Sequence, residues 1–114
     1  MTRMITDGGI ETELEERLGQ ELSEFAAYPL LETATGREAL REYFRPYVAL
    51  AETTGTSIVL DTPTWRANAD WGGVLGDDAE ALAQINADAV AFVRTTAEAV
   101  APEADVIVNG CVGP

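Results

Sequence analysis

Apolar positions follow two alternating rhythms along this chain. Short β-prone runs at residues 3–6, 57–60 (SIVL) and 105–108 (DVIV) each lead into a turn-forming cluster and read as strands. Between them the spacing is helical. Leu40, Phe44, Val48 and Ala51 make one apolar face over residues 37–54, which Gly55 closes. Pro46 sits inside that pattern and is expected to kink or split the helix. Leu82, Ile85, Ala89, Phe92, Val93 and Val100 mark another helix, which begins at Asp77 with Glu80 three residues on and ends at Pro102. A short helix over residues 11–18 stops at Gly19, and residues 20–36 form an irregular connector anchored by Phe25, Tyr28, Leu30 and Leu31. Residues 64–76 (TWRANADWGGVLG) read as a long loop holding both tryptophans.

Strands alternating with helices predict an α/β fold, with parallel strands joined by crossover helices. The SIVL run reads as a strand buried on both faces. In such folds ligands bind where strands run into the following connections, and Asp7, Asp61 and Cys111 fall at those three carboxyl ends. No GxGxxG follows the first strand, which removes the main support for dinucleotide binding. Three parallel strands cannot close a barrel and leave outer edges unpaired. Residues 1–114 are therefore expected to be a partial, truncated domain, or one piece of an assembly that supplies the rest.

Composition narrows the chemistry. The chain is 46% hydrophobic and 24% charged, as globular proteins are, and it carries 20 acidic against 7 basic residues, all arginine, for a net charge of −13. That charge argues against nucleic acid and anionic membrane as partners, although an acidic, lysine-free composition also follows from genomic base composition or a salty cytoplasm. No apolar run reaches the roughly 20 residues of a membrane span. The opening MTRMITDGG lacks a signal core, so a cytoplasmic location is expected. With one cysteine and no histidine, the chain has no internal disulfide, no histidine base and no self-contained zinc site.

Four segments together carry a resemblance: ITDGGIETEL (residues 5–14), LDTPTWRAN (60–68), INADA (85–89) and NGCVGP (109–114). In this order they resemble the homocysteine S-methyltransferase family, over essentially the whole chain. The resemblance implies the N-terminal part of a (β/α)8 TIM barrel, covering its first three strands. It implies transfer of a methyl group from a small donor (betaine, S-methylmethionine or a methylated folate) to the thiol of homocysteine, giving methionine. It also implies a zinc ion that activates the thiol, held by cysteines of later strands absent here. Asp7 and Gly8 match the family's Asp-Gly after the first strand and are expected beside the amino acid part of homocysteine, with Asp61 and Thr62 contributing from the second. Residues 64–67 (TWRA) depart from the aromatic residues of betaine-using members, which leaves the donor open. Cys111 stands where the family has serine, and reads as a small barrel-lining residue rather than a zinc ligand or nucleophile.

Each of these residues has a plainer role beside the functional one. Asp7 can cap the helix that follows it. Trp65 and Trp71 read as loop anchors on the barrel rim, and Arg66 as a partner of nearby acids rather than of a substrate carboxylate. Glu11, Glu13, Glu15 and Glu16 read as a solvated acidic helix start. These residues assign neither a catalytic side chain nor a metal ligand to this chain, which is expected to be inactive alone. The alternative is a non-catalytic or split-subunit α/β fragment that folds by self-association or with a partner chain through its open sheet edges. A flavodoxin-like binding module ranks behind both, because it needs about five strands.

Overall fold

A computed structural model describes residues 3–114. The elements run β1 (Met4–Thr6), α1 (Ile10–Glu16), two 3-10 turns (Ser23–Phe25 and Tyr28–Glu32), α2 (Ala34–Thr54), β2 (Ser57–Asp61), α3 (Ala69–Leu75), α4 (Ala79–Val100) and β3 (Val106–Asn109). The fold is α/β, as expected. The three strands are parallel in the order β1-β2-β3, with Ile5 beside Ile58 and Ile58 beside Val106.

That register divides the sheet into two unlike faces. Ile5, Ile58, Leu60, Val106 and Val108 share the face covered by α2 and α4, where Ile58 and Leu60 are fully buried. Tyr28, Leu40, Phe44, Val48, Ala89 and Val93 complete the core from the helices and the second 3-10 turn. The opposite face is largely bare: Met4 is 53% and Ile107 44% exposed, and Val59 between them is only partly covered. β2 is thus buried on one face instead of the two expected, because no second layer packs on its inner side. Helices on one side and a bare concave side are what consecutive units of a βα barrel present before the ring closes. None of the helices among the described residues is long and apolar enough to cross a membrane.

Local chemistry sets the element boundaries, and it corrects the expected split at Pro46, the start of α2, the tryptophan loop and the cap of α4. α2 is one continuous helix through Pro46, since Tyr43, Phe44, Val48 and Ala51 pin both halves to the core on the face away from the proline. It also starts earlier than its apolar pattern, where the Thr33 side chain accepts the Gly36 N–H at 2.9 Å. The tryptophan loop contains a helix, α3, capped by Asn68 and stopped by Gly76 at φ 89°. α4 is capped by Asp78, which accepts the Ala81 N–H at 2.8 Å. Asp77 instead accepts the hydroxyl of the buried Tyr28 at 2.6 Å and ties the α3–α4 junction to the connector. Asp78→Ala is expected to cost about 1 kcal/mol in urea unfolding, as loss of a helix cap does. An unchanged midpoint would contradict this assignment.

Candidate functional site

The carboxyl ends of the strands meet at one carboxylate. Asp7, just past β1, accepts the Tyr43 hydroxyl at 2.6 Å on Oδ2 and the Asp61 backbone N–H at 3.1 Å on Oδ1. Tyr43 comes from α2 and is fully buried, and the same hydroxyl lies 2.9 Å from the Gly8 carbonyl. Burial and the bond to Asp7 push the phenol far above its ordinary range, so it stays a donor at any physiological pH. The carboxylate is therefore fixed in orientation from two elements, and each oxygen keeps a lone pair for a further donor. Asp61 is fixed in turn, its Oδ1 accepting Asn109 Nδ2 of β3 at 2.8 Å.

A closed hydroxyl circuit joins the ends of β2 and β3. Cys111 N–H donates to Thr62 Oγ1 at 3.0 Å, and Thr64 Oγ1 donates to the Cys111 carbonyl at 2.8 Å. Thr64 has spent its only proton there, so Thr62 must be the donor in the 2.7 Å bond between the two hydroxyls. What Thr62 keeps for a ligand is a lone pair, not a proton. Gly8 lies close under Tyr47, since a Cβ there would fall 2.6 Å from the Tyr47 hydroxyl and the end of that side chain would have to shift. That hydroxyl bonds both carboxylate oxygens of Glu13, at 2.8 and 2.9 Å.

These residues surround a cavity of about 250 Å³ that takes in all four expected positions, Asp7, Gly8, Asp61 and Thr62, together with Cys111. Gly9, Ile10, Glu11, Phe25 and Trp65 complete its wall. Phe25 and its neighbour Glu24 adopt φ 54°, a left-handed conformation uncommon outside glycine, and the Phe25 ring meets Trp65 edge-on at 6.4 Å. Glu11 does not point to solvent as its acidic neighbours suggest. α1 turns it into the cavity, and the only signal for this in the sequence is its position four residues after Asp7, at the start of the helix. Glu13 is engaged by the Tyr47 hydroxyl outside the cavity lining, and Glu15 and Glu16 remain exposed.

The cavity is anionic, and its titrating groups register this. Burial raises the Asp7 carboxyl, with the charge of Asp61 adding to the effect against its hydrogen bonds. Burial likewise raises Glu11, partly offset by Arg66. Cys111 is pushed up by burial and by Asp61, Glu11 and Asp7, which keeps its thiol protonated and makes it a poor nucleophile here. A carboxyl whose folded value is raised binds its proton more tightly folded than unfolded. Stability from Asp7 and Glu11 is then full below their ordinary values of 3.8 and 4.5 and is lost as pH rises through the raised ones. Glu11→Gln is expected to flatten the fall in stability across that window, measured by urea unfolding at a series of pH values. A slope identical to the parent chain would contradict it.

A larger groove of about 640 Å³ lies on the outer helical surface between α2 and α4, far from the strand ends. Its arginines are already engaged: Arg37 with the Leu31 carbonyl at 2.8 Å, Arg41 with Glu38 at 3.2 Å, and Arg45 with Glu42. The cavity at the strand ends is the better site, because polar groups from several elements converge on it.

Comparison with curated proteins and with solved structures returns no match. The sequence profile of the homocysteine S-methyltransferases does match, over residues 4–114, and so takes in β1, β3 and every residue of the cavity. This chain belongs to the homocysteine S-methyltransferase family.

Proposed function

We propose that this chain forms the thiol-substrate wall of a homocysteine S-methyltransferase, built as the first three βα units of its barrel. The carrying observation is the Asp7 carboxylate, held by Tyr43 and by the Asp61 N–H with lone pairs free toward a cavity of amino acid size. Asp7 accepts the substrate ammonium, a charge-assisted bond in a partly desolvated place. Asp61 adds a second negative charge, Gly8 lets the ligand approach the backbone, and Thr62 accepts with its remaining lone pair. In the overall reaction the homocysteine sulfur bonds to the donor's methyl carbon as the donor's bond to it breaks, and the thiol proton is lost, giving methionine. The small methyl donor remains open, because Trp65 and Arg66 are not tied to one donor chemistry.

The family's zinc does not fit the residues described. There is one cysteine and no histidine, and no group of three His, Cys, Asp or Glu side chains among the described residues is placed to hold a metal ion. The one thiol is pushed up by burial first and then by the charges of Asp61, Glu11 and Asp7, which disfavours the thiolate that a metal needs. Thiolates for zinc would have to come from other strands. It follows that the 114-residue chain alone should transfer no methyl group. Incubation with zinc, homocysteine and each donor class is expected to yield no methionine, and turnover would refute this.

Substrate binding is testable without turnover. Calorimetric titration with homocysteine is expected to show binding that Asp7→Asn weakens about tenfold or more, the usual loss for a hydrogen bond to a charged group. Equal affinities would remove the assignment. A second reading, assembly without catalysis, draws on the bare inner face and the outer edges of β1 and β3. It predicts a mass that rises with concentration in sedimentation and is indifferent to homocysteine.

A further inference from the structure

Arg66 occupies an unusual position. Its guanidinium carbon lies 3.6 Å from the centre of the Trp71 ring and 4.5 Å from that of Trp65, so the group is stacked between two indoles. Such stacking holds the planar fork in place without consuming its N–H donors. Among the described residues no carboxylate lies within ion-pair distance of it, and its buried Nε has no hydrogen-bond partner. The pairing with nearby acids expected from the sequence is absent. What sets Arg66 apart is the buried, unpartnered Nε together with the two indole faces that hold its guanidinium.

The position of Arg66 relates it to the cavity. Trp65, its neighbour and stacking partner, lines the wall, and the Arg66 charge is close enough to lower the carboxyl of Glu11, another lining residue. Trp65 itself is wedged by the end of the chain, where a Cβ on Gly113 would fall 2.6 Å from the indole Cδ1. The cavity thus has carboxylates at the β1 and β2 ends, and the guanidinium of Arg66, which has no ion-pair partner among the described residues, is stacked behind its wall residue Trp65.

We infer that Arg66 is the carboxylate anchor of this cavity and a specificity residue, selecting a free α-amino acid over an amine of the same length. The inference rests on the proposed function, because it assumes that the thiol amino acid occupies the cavity with its ammonium at Asp7. The ligand's carboxylate meets the fork of Arg66, and its two ends read opposite charges.

The chain's two tryptophans are the two that stack on Arg66, so their fluorescence reports on it directly. The test titrates the parent chain, Arg66→Gln and Asp7→Asn with homocysteine, its decarboxylated analogue and its deaminated analogue. In the parent, homocysteine and the deaminated acid should perturb tryptophan emission, whereas the decarboxylated amine should bind without doing so. Arg66→Gln should weaken both acids about tenfold or more and leave the amine unchanged. Arg66→Lys, which keeps the charge but loses the flat fork, should recover only part of the loss. If Arg66→Gln weakens all three ligands equally or none, while Asp7→Asn still weakens the two amines, the anchor is wrong and the proposed function stands. If the parent binds none of the three, both fall.

Discussion

Tyr43→Phe is expected to weaken homocysteine binding at pH 7 about tenfold and to destabilise the chain by about 1–3 kcal/mol. The stability loss is the cost of leaving a buried acceptor without its donor. The binding loss has a separate cause. Without the hydroxyl, Asp7 keeps only the Asp61 N–H, its orientation loosens, and its carboxyl rises further because the Tyr43 bond is what opposes burial there. Tyr43 is thus a positioning residue, and its signature is a shift in pH dependence. The pH at which homocysteine binding sets in should move upward in Tyr43→Phe, since Asp7 must ionise to take an ammonium. A purely structural tyrosine would lower stability and leave that midpoint where it is. Calorimetry across a pH series separates the two.

The largest stability effect is expected at Gly36, in the first turn of α2. Its φ is ordinary; the constraint is proximity, because a Cβ would lie 2.7 Å from Leu30 Cα and closer still to the Leu30 carbonyl oxygen. Both obstacles are backbone, in the 3-10 turn that carries the buried Tyr28 and Leu31, so neither can rotate away. Gly36→Ala should therefore cost about 3 kcal/mol, at the upper end of overpacking penalties. Gly73, inside α3, is exposed, and a Cβ there would meet nothing within 4 Å. There the same substitution should stabilise by about 0.5–1 kcal/mol, through helix propensity alone. Urea unfolding of the pair tests the contrast, and two changes of the same sign would contradict the packing described.

The parts of this molecule that were legible from sequence are those set by repeating patterns. Strand–helix alternation and the face of Leu40, Phe44 and Val48 placed the parallel sheet and its covering helices, and the four expected cavity positions do converge. Boundaries that depend on one hydrogen bond were not legible. Asp77 and Asp78 are equally good caps in sequence, and only the reach of Tyr28 decides between them. α3 was hidden by its glycines, which weaken helix propensity, although Gly72 is there because a Cβ would crowd Leu82. Tyr43 could be placed on a helix but not beside Asp7, since a contact across 36 positions has no local signal. In sequence Arg66 is one more arginine among many acids, and nothing local signals that Trp65 and Trp71, one in the loop and one in α3, stack on it.

The central claim is that the strand-end cavity takes the thiol amino acid, and backbone amide NMR tests it most directly. Titration of the 114-residue chain with homocysteine is expected to shift the amides of Asp7, Gly8, Asp61, Thr62 and Cys111 and the indole N–H of Trp65, with Arg37, Arg41 and Phe92 on the outer groove unmoved. Shifts confined to that outer groove, or no shifts at ligand concentrations well above those of a weak complex, would contradict the account.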